Sequence, residues 1–313
     1  MLYKEWLETW LENYIKPSSK SRTYTRYSEL VRQHLTGVGD YQLTDLTPLI
    51  LQQFVMNLLQ NGNLKTQRGL SANSVNTIIS VMQGSLKTAF TLGLITENVG
   101  SKIQRPKITE KQIECFTVTE QKQIEQFVLT NKKEKLYGIV VCLYTGLRIG
   151  ELLALKWCDI DFNKGLLRVN RTCYDTCHGR VDDTPKTKTS IRMIPIPKQI
   201  MPLFKELKKL SHADYVLTDH DQIISVRSYQ RSFELLLKRL KITHKGFHAL
   251  RHTFATRALE CGMDVKTLSE ILGHKNSQIT LNRYAHSLMD HKIDVMNKLG
   301  KLLQNQPNKK ATE

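Results

Sequence analysis

Hydrophobic residues along the first hundred positions repeat at the spacing typical of amphipathic helices. Breaks at Pro17–Ser19, before Pro48 and at Asn61–Gly62 divide this part of the chain into four helical segments. The apolar stripes of the four segments begin at Tyr3, Tyr24, Leu51 and Val75. The pattern predicts an all-helical bundle as a first domain, over residues 1–100.

The pattern changes after this bundle. Residues 101–115 have no helical period and many basic side chains, which predicts an extended linker. A second domain, residues 116–300, alternates helical segments with short strands: Asp159–Val169 reads as a hairpin around Asn163-Lys164-Gly165, and Ile191–Ile196 as a third strand. Residues 301–313 form a polar tail. The predicted fold class is mainly α with a small antiparallel β-sheet.

The net charge of the chain indicates what kind of molecule it binds. The 313 residues carry a formal net charge of +17. Residues 1–100 hold 9 basic and 7 acidic side chains, whereas residues 101–313 hold 37 and 22. Such an excess on one domain indicates a polyanionic partner and favours nucleic acid. No apolar run approaches the roughly 18 residues of a membrane span, so we expect a cytoplasmic protein without membrane contact.

Candidate chemistry is concentrated near the C-terminus. His248, Arg251 and His252 fall at i, i+3 and i+4, so a helix would place them on one face. A short helix follows, which Gly273 should end, and His274 comes directly after it. Tyr284 lies beyond, in a short segment that Ser277 can cap. One His or Tyr on an amphipathic helix is usually a packed residue, but this ordered series is hard to explain by packing.

A second cluster is the run Thr145-Gly146-Leu147-Arg148-Ile149-Gly150-Glu151. Gly146 should end one helix and Arg148 should lie in the first turn of the next. A cation there opposes the helix dipole, whereas the exposed N–H groups attract an anion. Glu151 can hold an arginine in a fixed pose. The alternative is a surface i,i+3 pair worth a few tenths of a kcal/mol.

Together these motifs resemble the tyrosine recombinase (phage integrase) family, and they are most similar to integrases of conjugative transposons and phages. The resemblance spans about residues 1–300. It implies a helical N-terminal core-DNA-binding domain and an α+β catalytic domain. It also implies site residues: Tyr284 as nucleophile, Arg148 and Arg251 on the phosphate, His248 as base, His274 as a further donor, Glu151 in support and Lys188 as general acid. Lys186 remains an alternative to Lys188.

The resemblance implies site-specific cleavage and rejoining of double-stranded DNA through a 3′-phosphotyrosine, by a mobile-element integrase or excision recombinase. Neither metal nor ATP is required, so no cofactor is expected. The partners implied are DNA, three further copies of the chain in a tetramer, and accessory DNA-bending or excisionase proteins. An amphipathic segment with Ile293, Val295, Met296, Leu299 and Leu302 is expected to serve assembly, with a helix that packs on its own chain as the alternative.

Other functions fit some of these residues. A type IB topoisomerase-like cutter would use the same groups, although the N-terminal bundle argues for an integrase. A DNA-binding regulator would need no nucleophile, and a metal nuclease would need an acidic cluster that the sequence lacks. Cys173, Cys177 and His178 suggest half a zinc site, but no second pair lies at a matching spacing.

Overall fold

The computed structural model describes residues 1–109, 114–176, 179–184, 190–274, 276, 278, 293, 296–301 and 303. The chain divides into two compact units, Met1–Lys111 and Gln112–Glu313. The predicted fold class is confirmed, because helices dominate and the strands form small antiparallel sheets. Among the described residues, no helix has the length and apolar character needed to cross a membrane.

The first unit is helical, as the hydrophobic pattern predicts. Its α-helices are α1 (Tyr3–Trp10), α2 (Ser21–His34), α3 (Thr36–Gly39), α4 (Pro48–Asn61) and α5 (Ala72–Thr91). The first predicted helix continues past α1 as a π-helical turn over Leu11–Ile15. Two helix starts follow their sequence signals: Thr47 caps α4 just before Pro48, and the Ser71 side chain accepts from the Ser74 amide at 3.2 Å.

Helix α5 is central to this unit, because residues along most of its length are buried. Aromatic side chains of α1 pack on it and also bind its polar groups. The Tyr3 hydroxyl lies 2.8 Å from the Ser85 hydroxyl, and the Trp6 indole donates to the Ser85 carbonyl at 3.1 Å. These bonds satisfy the polar ends of rings whose apolar bodies fill the core.

The beginning of the predicted linker also packs on α5. Ile103 is buried in the core of the first unit. Asn76 donates to the Pro106 carbonyl at 3.1 Å, and Arg105 donates to Gln83 at 2.7 Å. Residues 103–106 are therefore held by the helical bundle rather than extended away from it.

The second unit carries the remaining elements. They are α6 (Val118–Asn131), α7 (Tyr137–Thr145), α8 (Ile149–Leu153), β1 (Ile160–Asp161), β2 (Leu166–Val169), β3 (Thr172–Thr176), β4 (Gly179–Asp183), β5 (Arg192–Pro195), α9 (Met201–Leu210), α10 (Val226–Arg239), α11 (His248–Glu260) and α12 (Val265–Leu272). Helix α7 is almost wholly buried and packs against α11. Because α7 is held in the core, the start of α8, only a few residues later, has a defined position as well.

The predicted hairpin and third strand are confirmed. Strands β1, β2 and β5 form one antiparallel sheet in that order, with Leu167 paired to Ile194. Within β5, Arg192 and Ile194 are buried whereas Met193 is exposed. Arg192 thus occupies the inward face of its strand, where an apolar side chain would be expected.

A second hairpin, β3–β4, was not predicted from the sequence. Its strands are rich in polar residues, so they give no apolar alternation. Polar anchors hold it instead: Asp175 accepts from the first two amides of α10, at 3.0 and 2.9 Å, and Arg180 donates to the Leu153 and Ile224 carbonyls. The hairpin therefore lies against the end of α8, next to the Arg148 motif.

Candidate active site

Arg148 is the N-cap of α8, with extended backbone angles, rather than a residue of its first turn as the sequence suggested. Two residues turn the chain between α7 and this cap: Gly146, which ends α7 in the left-handed conformation, and Leu147, which is buried. The cap position lets the Arg148 amide donate to the Glu151 carboxylate at 2.9 Å. Its guanidinium donates to the same carboxylate at 2.8 Å and remains 37% exposed.

Glu151 binds two arginines from different parts of the chain. Its carboxylate accepts from Arg148 and also from both terminal nitrogens of Arg192, at 3.0 and 2.9 Å. The carboxylate is buried, which opposes ionisation, but the hydrogen bonds and charge of Arg192, followed by the charge of Arg148, prevail and lower the pKa of Glu151 to about 2. Glu151 is therefore an anion that fixes two cations, a more central role than the sequence indicated.

Arg192 was not singled out from the sequence. Besides its two bonds to Glu151, its Nε donates to the Ile271 carbonyl and its Nη1 to the Ser190 carbonyl at 3.2 Å. Its side chain is only 6% exposed. The available signal was its position on β5, because an arginine on the buried face of a strand requires an anionic partner elsewhere in the fold.

Arg251 lies in the first half of α11 and is 2% exposed. Its Nη1 donates to the Gly146 carbonyl at 2.8 Å and its Nη2 to the Leu272 carbonyl at 2.6 Å. The first bond joins α11 to the end of α7, just before the Arg148 cap. The structure thus brings together the two arginines that the resemblance assigns to the phosphate.

The C-terminal end of α12 is the common anchor of the three arginines. Its last carbonyls lack partners within the helix, and the negative end of the helix dipole attracts cations. Arg192 binds the Ile271 carbonyl, Arg251 the Leu272 carbonyl, and Arg148 approaches the Gly273 carbonyl at 3.4 Å. Three successive carbonyls therefore receive three guanidinium groups, one each from β5, α11 and the start of α8.

Gly273 makes this arrangement sterically possible. It adopts the left-handed conformation, with φ of +63°, and so ends α12. A Cβ atom at this position would lie 3.0 to 3.2 Å from the Arg192 guanidinium. Gly273 therefore has two functions in the fold. It ends α12, as the sequence predicts, and its lack of a side chain leaves room for Arg192 against the backbone.

Two of the three histidines lie on α11 and the third follows α12. His248 begins α11 and is exposed, and its ring centroid is 4.6 Å from that of His252, one turn along. His274 follows Gly273 directly and is half-buried, with its amide bonded to the Ser269 carbonyl at 3.0 Å. His274 is thereby carried on the same turn that gathers the arginines.

Three predicted site residues, Lys186, Lys188 and Tyr284, lie outside the residues that the structure describes. The helix proposed to begin at Ser277 lies mostly outside them as well. Ser190 is the first described residue after residues 185–189, and its carbonyl accepts a hydrogen bond from the Arg192 guanidinium.

The charges of the cluster define its chemistry. Arg148, Arg192, Arg251 and Glu151 together carry a formal net charge of +2. Because Arg148 is partly exposed, the surplus charge is accessible to an anion from solvent. Guanidinium groups held by a buried carboxylate and by carbonyls are pre-organised, which suits them to oxygens that become more negative during a reaction.

Comparison with known proteins identifies the family. Residues 114–291 match the phage integrase family, and residues 2–59 match the N-terminal SAM-like domain of phage integrases. The first match covers more than half of the chain. The chain belongs to the phage integrase family and is a tyrosine recombinase, an enzyme that cleaves and rejoins DNA.

Similar proteins include a tyrosine recombinase XerC-like protein of Caldanaerobacter subterraneus subsp. tengcongensis, 30% identical over 95% of this chain and 82% of that protein. The ICEBs1 integrase of Bacillus subtilis is 26% identical over 91% of this chain and 79% of its own length. Both relatives are therefore matched over most of their lengths, so the likeness extends across both units.

Solved structures share the fold. The Tn1549 transposon integrase in complex with a circular intermediate DNA superposes with a TM-score of 0.81 at 22% identity, covering 96% of this chain and 99% of that one. A lambda integrase tetramer bound to a Holliday junction gives a TM-score of 0.68 at 20% identity, covering 88% and 78%.

Proposed function

We propose that this protein is the site-specific recombinase of a mobile element, which cuts and rejoins double-stranded DNA through a 3′-phosphotyrosine on Tyr284. The observation that carries the proposal is the gathering of Arg148, Arg251 and Arg192 at the end of α12 with Glu151 as their shared counter-charge. A packing role would require charge balance at this place, whereas a phosphodiester site requires surplus positive charge.

In this proposal Arg148 and Arg251 hold the two non-bridging oxygens of the scissile phosphate. Charge grows on these oxygens as the phosphorus becomes five-coordinate, so donors fixed in advance stabilise the transition state more than the ground state. His274, on the turn after Gly273, adds a further donor. Glu151 keeps the Arg148 guanidinium from turning away toward solvent.

The covalent step is a displacement at phosphorus. The Tyr284 oxygen forms a bond to phosphorus while the bond to the 5′-oxygen breaks. His248 accepts the phenolic proton, and Lys188, or Lys186 in its place, gives a proton to the departing oxygen. Reversal of these transfers, with a new 5′-hydroxyl as nucleophile, joins the exchanged strands, and the phosphotyrosine bond conserves the energy for this step.

Assembly on DNA is proposed to involve four copies of the chain. Several residues of the C-terminal segment are apolar and exposed: Ile293, Met296, Leu299 and Leu303. An apolar stripe of this kind favours contact with a second copy. The lambda integrase tetramer on a Holliday junction supports the same arrangement for this chain.

The relatives suggest the biological setting. The ICEBs1 integrase and the Tn1549 transposon integrase carry the names of mobile elements. We assign this chain to integration or excision of such an element, with DNA-bending or excisionase proteins as its accessory partners and the cytoplasm as its place of action.

The test is covalent capture of Tyr284 on a nicked substrate that traps the cleaved strand. Wild-type protein should give a slowly migrating adduct on a denaturing gel, with and without EDTA. Tyr284→Phe should bind the same DNA with unchanged affinity and form no adduct, because the nucleophilic oxygen is gone.

Each alternative gives a different outcome. An adduct that persists in Tyr284→Phe would move the nucleophile to another residue. DNA binding by the wild type without any adduct would indicate a regulator, and cleavage that EDTA abolishes would indicate a metal nuclease. Relaxation of supercoiled DNA without exchange between two sites would indicate a topoisomerase-like cutter.

A further inference from the structure

Arg192 has more fixed contacts than a charge partner of Glu151 needs. Its guanidinium donates to both carboxylate oxygens, to the Ile271 carbonyl and to the Ser190 carbonyl. The three acceptor residues belong to α8, to the end of α12 and to the chain just after the lysine segment, residues 185–189. One side chain therefore touches three separate parts of the proposed site.

We infer that Arg192 is a positioning residue for strand cleavage, which fixes the Arg148 motif, the Gly273–His274 turn and the exit of the lysine segment relative to one another. The inference rests on the proposed function, because it takes the roles of Arg148 and His274 from there. Arg192 itself is not assigned to the substrate, because its Nε, Nη1 and Nη2 atoms all donate to acceptors of the protein.

The link to Arg148 runs through Glu151. Each carboxylate oxygen of Glu151 accepts from one arginine on each side: Oε1 from the Nη1 of both Arg148 and Arg192, and Oε2 from the Arg148 amide and the Arg192 Nη2. The bidentate bond to Arg192 fixes the plane of the carboxylate. The plane of the carboxylate in turn fixes the direction of the Arg148 guanidinium.

The link to His274 runs through α12. Arg192 binds the Ile271 carbonyl and packs within 3.2 Å of the place where a Gly273 side chain would stand. A shift of Arg192 would therefore move the turn that carries His274. The link to the lysine segment is the Ser190 carbonyl. This carbonyl accepts from Arg192, which lies two residues later in the chain.

Lysine cannot reproduce these contacts, although it keeps the charge. Its ammonium group is a single point with three donors, whereas the guanidinium presents five donors in a planar fork. Arg192→Lys should therefore leave Glu151 paired with a cation while the carbonyl contacts are lost. This variant separates positioning from charge balance.

The test measures single-turnover adduct formation and DNA affinity in Arg192→Lys and Arg192→Met. We expect a cleavage rate about 10-fold lower in Arg192→Lys and about 100-fold lower in Arg192→Met, by analogy with the loss seen when a group that orients a metal ligand is removed. The Kd for target DNA should change less than threefold. The matched control is Arg171→Met, which removes an arginine from the buried Asp159 carboxylate elsewhere in the same unit and should cleave at the wild-type rate.

The pH profile supplies a readout that a merely structural role would not change. The groups facing Glu151 are Arg148 on its own helix, Arg192 on β5 and the Cys142 thiol on α7, with Arg251 on α11 near that thiol. Without Arg192, burial raises the pKa of Glu151, so the cleavage deficit of Arg192→Met should grow as pH falls. In the double variant with Glu151→Gln, the deficit should be independent of pH.

The outcomes separate the two proposals. If wild type forms the adduct, Tyr284→Phe does not, and Arg192→Lys cleaves at the wild-type rate, the positioning role is overturned while the proposed function stands. If Arg192→Lys loses thermal stability and cleavage only to the extent seen in Arg171→Met, Arg192 is a structural pin. If wild type forms no adduct on Tyr284, the proposed function itself fails.

Discussion

Glu151 and Asp159 are two buried carboxylates of the same unit, and both bind arginine, yet their surroundings differ in charge. Asp159 accepts two bonds from Arg171, at 2.7 and 2.8 Å, one from Asn170 and one from the Lys156 amide. One anion there faces one cation. Glu151 faces two arginines, and a third lies close by at the end of α12.

The difference in charge separates the Asp159 ion pair, which has a structural role, from the cluster proposed as the reactive site. An ion pair with no net charge stabilises the fold by satisfying its own hydrogen bonds. The Arg171–Asp159 pair in this way holds the start of β3 to the turn before β1. A cluster with net charge +2 keeps a repulsion between its cations that the α12 carbonyls lower and that a bound anion would lower further. Surplus charge at a partly exposed arginine is therefore a better indicator of function than burial of an ion pair.

The largest predicted effect comes from removing one arginine from each of the two clusters. Arg148→Ala should lower single-turnover cleavage by about 10² to 10³-fold, because a donor to the transition state is lost. Arg171→Ala should leave cleavage within about threefold of wild type while it destabilises the fold. Quenched-flow adduct assays and denaturant unfolding measure the two effects. Equal losses of cleavage in both variants would show that the two clusters do not differ in function.

An intermediate effect concerns the pH dependence of stability. Glu151 has a pKa of about 2 in the folded protein, below its ordinary value of 4.5. Its contribution is therefore complete above pH 4.5 and is lost as pH falls toward 2, by about 3 kcal/mol over the window. In urea unfolding at a series of pH values, the difference in free energy of unfolding between wild type and Glu151→Gln should shrink as pH falls. A gap between the two proteins that stays constant with pH would contradict the prediction.

The smallest effect compares two glycines with nearly equal backbone angles. Gly273 has φ of +63° and Gly165, in the β1–β2 turn, has φ of +64°. Alanine at either position should cost about 1–2 kcal/mol for the left-handed conformation. Only Gly273→Ala also presses on the Arg192 guanidinium, whereas a Cβ at Gly165 meets nothing closer than 3.6 Å.

Gly273→Ala should accordingly be less stable than Gly165→Ala by about 1 kcal/mol, the size of a modest packing clash. It should also cleave DNA more slowly, because Arg192 and the following turn are displaced. Thermal melts and adduct assays of the pair give the answer. Indistinguishable cleavage rates would mean that the contact between Gly273 and Arg192 does not matter for the reaction.

The sequence predicted the elements that follow a strong apolar period or a clear stop signal. The helices of the first unit, the β1–β2 hairpin and the stop at Gly273 belong to this group, because local propensity and burial agree there. The order of Arg148, Arg251 and His274 pointed to the family, and the structure brings these residues together around α12. Their catalytic roles, and those of His248, Lys188 and Tyr284, stay predictions.

Two features were missed for a physical reason. The β3–β4 hairpin is held by side-chain bonds from Asp175 and Arg180 to distant backbone groups, and no local pattern encodes such partners. Arg192 looked like an ordinary strand residue, because its role depends on Glu151 and Ile271, far away in the sequence. Only its inward position on β5, in phase with Ile194, could have drawn attention to it.

The anchoring of three arginines at the end of α12 has a consequence for protein synthesis. The bonds from Arg148 to Gly273 and from Arg251 to Gly146 close loops of 125 and 105 residues. A ribosome that has not yet released Gly273 therefore holds a chain in which the arginines lack their common anchor. Such a nascent chain lacks the assembled arginine cluster, which forms only when α12 docks.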